Sequence, residues 1–468
     1  MDTYKEKRDL IIKGNIVKAI LALAGPIMLN NLIQTIYNLT DTYWVGQLGG
    51  TEVAAITLIW PIVFFLLALG FGINIAGTSL ISQYTGADDK ENATRVSGQI
   101  VSFSLYFSII IGIIGLFVAE PIIKMMGGEG RLLELASNYL KIIFAGMPAI
   151  FLFLAFTSIK QGQGDTVTPM KYSAISVALN MVLDPIFIFG LDLGVRGAAL
   201  ATIFSRSVFA IYAIYTLFYR KTGIQLHLKH LILKPNLLKK IIKIGLPSSL
   251  GQSSAALGFI FLNAFIISFG KSTLAAFGIG NRINSVILMP AMGIGNALAT
   301  IVGQNLGADQ IKRARQAVKT SAVLTTVLLT SGGIILYPFV PTIIRAFNTE
   351  PAIVSQGTFY LRLISLSLPL MGFFQIFVGT FQGSGHTLMA MFIMTGRLWA
   401  LRIPLIILFK KYTDWGSSSV WYAMVLSNAI ISLVGFIMYL TGKWQKKVIK
   451  KKPPLTGSEV DQNLDIDN

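Results

Sequence analysis

The feature that most constrains this chain is its division into twelve long apolar runs, with most of the charge confined to the short stretches between them. The runs fall near 16–43, 54–82, 97–119, 132–158, 170–190, 197–219, 241–268, 274–302, 318–341, 352–380, 388–409 and 417–441. A helix needs about 20 mostly apolar residues to cross a bilayer. Runs of this length without strict alternation predict spanning helices, not barrel strands. Only 13% of the residues are charged and 53% are hydrophobic, whereas a soluble domain carries about 25% charged residues. A soluble fold and a disordered chain are both excluded. The absence of cysteine excludes a disulfide scaffold and a thiolate metal site. The expected fold class is an all-α integral membrane protein. The opening segment MDTYKEKRDLIIKGN is charged, and the run after it is too long for the core of a signal peptide, so no cleavable signal is expected.

A net charge of +18 could suggest nucleic acid. Here the basic residues lie between spans, where they orient the chain, and no nucleic-acid partner is expected. Alternate loops and the two terminal segments hold 26 Lys and Arg, against seven in the opposite loops. That bias places both termini in the cytoplasm of a multi-pass protein of the cell (inner or plasma) membrane. Residues 1–219 then form a first lobe of six spans and 241–442 a second. Residues 220–240 form a cytoplasmic linker that mixes Leu and Ile with Lys and is expected on the inner membrane face. Residues 443–468 form a polar cytoplasmic tail, expected to be disordered after Pro453.

The two lobes are one unit written twice. A shift of 221 residues carries Pro26 onto Pro247, Gly49 onto Gly270, Gly72 onto Gly293 and Gln83 onto Gln304. It also carries Gly86-Ala87-Asp88 onto Gly307-Ala308-Asp309 and Gln161-Gly162 onto Gln382-Gly383. An even number of spans per half makes the halves parallel repeats about an axis along the membrane normal. Duplication of this kind is typical of transporters, whose site lies between two rocking bundles.

The stretch Asn38-Leu39-Thr40-Asp41-Thr42-Tyr43-Trp44-Val45-Gly46-Gln47-Leu48-Gly49 resembles the opening signature of the multidrug and toxic compound extrusion (MATE) family. The Gly-Ala-Asp loops fit that family, as do Gln161-Gly162-Gln163-Gly164-Asp165, the segment from Asn180 to Pro185, and Gly194–Thr202. The likeness runs over roughly residues 15–442. It implies two six-helix lobes in a V around a central cavity, and export of drugs or metabolites in exchange for protons or sodium. NorM-type members carry acidic residues in spans seven and ten, where this chain has none. Span seven offers Gln252 and Asn263 instead. The resemblance is therefore closer to the DinF-like branch, whose coupling carboxylates lie in the N-terminal lobe.

Ionisable groups at bilayer depth are costly and read first as functional. The acidic residues that stand out inside spans, away from the loops, are Asp41 and Asp184, both in the first lobe. Asn30, Gln34, Tyr37, Asn38 and Asp41 fall on one helical sector, and a lipid-facing helix would not keep such a stripe. Span five repeats the pattern with Ser173, Ser176, Asn180 and Asp184, the last two being i,i+4 neighbours. The resemblance adds Thr202 on span six. The expected cation-coupling group is thus Asp41, Asn180, Asp184 and Thr202, able to carry a proton or to hold Na⁺ between its oxygens. A buried structural network is the alternative for the same residues. Candidate cavity residues are Gln34, Tyr37, Asn38, Arg206, Gln252 and Arg282. Arg206, one turn from Thr202, is expected to pair with a first-lobe carboxylate. Arg362, Arg397 and Arg402 read first as structural, bonding helix-end carbonyls or snorkelling, with a cavity-facing role as the alternative.

No catalytic constellation is present: there is no thiol, His227, His230 and His386 fall in loops, and no Walker motif accompanies the glycines. The expected function is a secondary active multidrug efflux antiporter of organic cationic or aromatic compounds, acting by alternating access with H⁺ or Na⁺. The expected partners are those small molecules, the coupling ion and membrane lipids. The chain is expected to be a monomer without a cofactor and not an enzyme. The alternative is a flippase for lipid-linked saccharides within the same superfamily.

Overall fold

The computed structural model describes residues 3–220 and 223–449. Lys221 of the linker and the tail from Lys450 onward, Pro453 included, lie outside the described residues. A short helix α1, Thr3–Ile12, precedes the first span. The first lobe follows with α2 (Ile16–Gly46), α3 (Gly50–Gly86), α4 (Lys90–Met125), α5 (Gly130–Ala145), α6 (Met147–Gly162), α7 (Val167–Pro185) and α8 (Gly194–Tyr219). The second lobe contains α9 (Pro235–Ile267), α10 (Lys271–Gly307), α11 (Ile311–Phe347), α12 (Pro351–Gly383), α13 (Thr387–Thr395), α14 (Ile403–Tyr412) and α15 (Ser418–Leu440).

The twelve expected spans are all present. Among the described residues eleven are helices long and apolar enough to cross a membrane, α7 and α13–α14 each continuing through a π-helical turn. The twelfth is the pair α5 and α6, bent by 47°. Pro148 sits in the first turn of α6 without an N–H to donate. Gly146 marks the bend, and a Cβ there would meet Ile203 of α8 at 2.1 Å. The close approach of α8 therefore fixes glycine at the corner.

Several helices outrun their apolar segments. α3 continues to Gly86 and α10 to Gly307, and almost every residue in their last turns is buried. The added length is protein-covered, so it needs no apolar sequence. Asn15 and Asp89 set two of the starts: their side-chain oxygens accept from the backbone N–H of Lys18 and Asn92 at 3.1 and 3.0 Å.

The lobes meet along α3 and α9 on one side and α10 with α2 and α3 on the other. Glycines permit the approach: a Cβ at Gly72 would lie 2.5 Å from the Gly245 carbonyl oxygen, and one at Gly293 would lie 2.5 Å from Cγ of Met28. All side-chain hydrogen bonds between the lobes, among the described residues, run from the middle of these helices to the end that carries the Gly-Ala-Asp loops. There the repeat is visible in space. Gln83 Nε2 donates to the Gly383 carbonyl at 3.4 Å, and its counterpart Gln304 Nε2 donates to the Gly162 carbonyl at 2.9 Å. Ser79 Oγ donates to Gly383 O and Thr300 Oγ1 to Gln161 O, both at 3.1 Å. Asp88 and Asp309 share a φ of 60°.

Both terminal segments clasp this closed end. Arg8 donates to the carbonyls of Thr85 and Gly86 at 3.0 and 3.2 Å and reaches Asp88 at 3.5 Å. Lys7 pairs with Asp165 at 3.0 Å. From the second lobe, Arg313 donates to the carbonyls of Ile11 and Gly14. Burial pushes the Asp165 carboxyl up, but hydrogen bonds from Thr168 and the Lys7 ammonium outweigh it and hold the group below its ordinary value. At the other terminus Trp444 is fully buried, and the Val448 N–H donates to Gln83 Oε1 at 3.0 Å. The tail is therefore docked at its start. The linker is docked too. Gln99 of α4 donates to the carbonyls of His230 and Ile232 and accepts from the Lys234 N–H, while Leu228 and Ile232 stay exposed.

Candidate functional site

The polar faces of α2, α7 and α8 converge inside the first lobe. α2 packs on α7, and α7 on α8. Asn180 and Asp184 lie one turn apart on α7, and Asn180 Nδ2 donates to Asp184 Oδ1 at 2.9 Å. Both are buried, Asp184 with 0% exposure. Its second oxygen, Oδ2, is buried without a hydrogen-bond partner, as are Asn180 Oδ1 and Asp41 Oδ1. Tyr37 Oη shares a hydrogen bond of 2.9 Å with Thr202 Oγ1 of α8. One turn earlier on α2, Gln34 Nε2 donates to Ser173 Oγ at 2.9 Å.

This arrangement collects acceptors without donors. Three buried oxygens from two carboxylates and one amide have no hydrogen-bond partner among the described residues. A buried acceptor left unpaired costs about 1–3 kcal/mol, and more when ionised. A proton on a carboxylate would supply the missing donor, and a small cation would satisfy several oxygens at once. The charge of Asp41 acts on Asp184, so a cation gained at Asp41 alters Asp184.

Arg206 corrects one expectation. It forms no ion pair with Asp41 or Asp184, and its guanidinium lies over the Tyr37 ring, 5.7 Å from the centroid. From that position it faces the same phenol that Thr202 engages. Tyr139 of α5 was not singled out from the sequence. It is buried within electrostatic reach of Asp41, Tyr37, Arg206 and Asp184. No helical stripe marks it, because it is the one member of the group that α5 contributes.

Three candidate cavity residues stand apart from the cluster. Asn38 is exposed on α2. Gln252 is half-buried on α9 and Arg282 exposed on α10, and neither bonds to the first-lobe group. Among the second-lobe cations, Arg402 is buried and donates to Ser427 Oγ and Asn428 Oδ1 at 3.1 and 2.7 Å. Arg397 lies 4.2 Å from the Phe374 ring centroid. Both engage neighbouring side chains, and neither helix-end carbonyls nor snorkelling is involved in the contacts seen.

Comparison with known proteins agrees with this architecture. The family model described as MatE matches residues 26–186 and again 247–408, one copy in each lobe. The chain is 28% identical to the probable multidrug resistance protein YoeA of Bacillus subtilis (strain 168), covering 94% of this chain and 96% of that protein. It is 31% identical to the multidrug export protein MepA of Staphylococcus aureus (strain N315), over 92% and 94% of the two chains. A solved structure described as the outward-facing conformation of a multidrug resistance MATE family transporter superposes with a TM-score of 0.87, at 30% identity over 94% of this chain and 98% of that one. The duplicated six-span lobes, the twofold match and the full-length likeness together place this chain in the MATE family of membrane transport proteins.

Proposed function

We propose that the protein is a secondary active efflux antiporter that exports organic, cationic or aromatic drug-like compounds in exchange for H⁺ or Na⁺. The observation that carries the coupling role is the set of buried, donor-less oxygens of Asp41, Asn180 and Asp184. These oxygens gain most from a bound cation. The second lobe has no acidic residue inside a span, so one coupling site in the first lobe serves the whole molecule. With the basic loops in the cytoplasm, the closed end is the cytoplasmic end, and the conformation described is open to the outside. Cation entry from outside neutralises the carboxylates and reshapes the faces of α2 and α7 that carry them. It biases the outward and inward states only by the difference in its affinity for them. Thr202 and Tyr37 hold α8 to α2 through that change.

The test is export of a cationic dye from proteoliposomes under an imposed proton or sodium gradient. Asp184→Asn and Asp41→Asn keep shape and remove a charge. Each is expected to lower gradient-driven export to background while the melting temperature is retained. Near wild-type export in both variants would refute a first-lobe carboxylate mechanism. The gradient that drives the wild type identifies the ion.

A further inference from the structure

The 221-residue register also pairs the α4–α5 seam with the α11–α12 seam, and the two differ in one respect. In the first lobe, Glu120 of α4 sits between two cations, 2.9 Å from Lys124 Nζ and 3.9 Å from Lys141 Nζ of α5. The register carries Lys124 onto Arg345 and Lys141 onto Arg362 but Glu120 onto Pro341. The second lobe has kept both cations and lost the anion between them. In that place lies a groove of about 730 Å³, lined by Pro341, Arg345 and Arg362 with Tyr337, Phe359 and Leu366 among its walls.

Neither arginine has an ion pair among the described residues. Arg362 lies over the Tyr337 ring, 5.0 Å from its centroid, and its Nε is buried without a hydrogen-bond partner. Thr358 Oγ1, also in the lining, is buried and unpartnered. Glu350, the nearest acid in sequence, accepts from Ser272 Oγ at 2.9 Å instead. Arg362 lies roughly 16 Å along α12 from its first residue, at 1.5 Å per residue. A cation at that depth is costly without a counter-charge. The groove does not face the other lobe. The α10 side of this seam is filled by Ile279 and Ile283 packed on Val340, Ile344 and Leu361, and α10 is the helix that meets α2 and α3. On the opposite side the groove opens between exposed Tyr337, Phe359 and Leu366, an apolar rim of the kind lipid covers.

We propose that this groove binds an anionic phospholipid. Its headgroup phosphate takes the place of the Glu120 carboxylate between Arg345 and Arg362, and an acyl chain lies along Phe359 and Leu366. Guanidinium groups suit phosphate because their planar N–H forks match its oxygens. The apolar walls select a lipid over a free anion.

The test is the melting temperature of the purified full-length protein in detergent, titrated with phosphatidylglycerol, phosphatidylcholine or soluble glycerol 3-phosphate. Phosphatidylglycerol is expected to stabilise most. Its apparent affinity should fall about tenfold or more in Arg345→Gln combined with Arg362→Gln, as loss of charge-assisted bonds implies. Arg345 is exposed, so Arg345→Gln alone carries the test if the double variant does not fold. The decisive variant is Pro341→Glu, which restores the carboxylate found in the first lobe. It should stabilise the lipid-free protein and abolish the preference for phosphatidylglycerol, while Lys124→Gln keeps that preference. Equal stabilisation of the wild type by both lipids, or a preference that survives Pro341→Glu, would overturn the proposal. Glycerol 3-phosphate acting as strongly as phosphatidylglycerol would make this a free-phosphate site and overturn the lipid assignment.

Discussion

Gly307→Ala should open the closed end of this transporter. A Cβ at Gly307 would sit 1.9 Å from the Gln83 carbonyl oxygen, a backbone atom that cannot rotate away. Relief needs the lobes to part by about 1 Å or more there, since close-packed interiors leave no slack. The Gln304–Gly162 bond at 2.9 Å and the Gln83–Gly383 bond at 3.4 Å would both stretch past hydrogen-bonding distance. Each is buried, and losing one costs about 1–3 kcal/mol. Two lost bonds therefore cost at least about 2 kcal/mol, which would raise the population opened at this end roughly 30-fold or more. The chain contains no cysteine, so a single probe suffices. Ser79 is 1% exposed beside Gly383. A Ser79→Cys thiol should react with a membrane-impermeant maleimide added from the side of this end roughly 30-fold faster when Gly307→Ala is added. Gly86→Ala, its repeat partner, should act alike, because its Cβ would meet the Gln304 carbonyl oxygen at 1.9 Å. Gly25→Ala, with open space around its Cβ, should not. Unchanged labelling in folded Gly307→Ala and Gly86→Ala would refute the idea that these contacts hold the end shut.

Three further outcomes are expected. Burial keeps the His386 ring below its ordinary value of 6.5. Its contribution is therefore full above pH 6.5 and lost as pH falls below it, because the unfolded chain takes up the proton first. His386→Gln should lessen the drop in melting temperature between about pH 7.5 and 5.5, and an unaltered slope would count against a buried neutral ring. Gln99→Ala removes three bonds to the linker and should raise the rate of trypsin cleavage at Lys229 severalfold while export persists, and unchanged cleavage would show that the linker is held elsewhere. Labels at Lys271 should react from outside and at Lys229 from inside, and outside reactivity at Lys229 would invert the orientation proposed here.

The twelve spans and the lobe pairing were legible because hydropathy and an ungapped repeat need no tertiary information. Asp41, Asn180 and Asp184 were legible for a related reason: a carboxylate inside an apolar run stands out, and helical spacing assigns its face. Tyr139 did not stand out, since a buried tyrosine is ordinary in an apolar helix and only the approach of α5 gives it polar neighbours. Arg206 lies over the Tyr37 ring without touching a carboxylate, because sequence fixes direction around a helix but not reach across it. The docking of the tail was hidden for another reason. Trp444 and Val448 are single anchors in a basic stretch, and their binding surface exists only once both lobes have met. The loss of the anion between Arg345 and Arg362 lies in the 221-residue register, but the groove in its place exists only once α11 and α12 have packed.

The reciprocal bonds at the closed end carry a historical consequence. Gln83 reaches Gly383 while Gln304 reaches Gly162, each half giving the donor that the other accepts. A surface that satisfies itself under a half-turn is the contact that two identical subunits make across a dimer axis. Two copies of a single six-span polypeptide could therefore form this junction before any covalent join existed. Fusion into one chain then freed each half to vary alone. The acidic pair survives in one half and the paired arginines without their glutamate in the other, a division of labour that identical subunits could never hold.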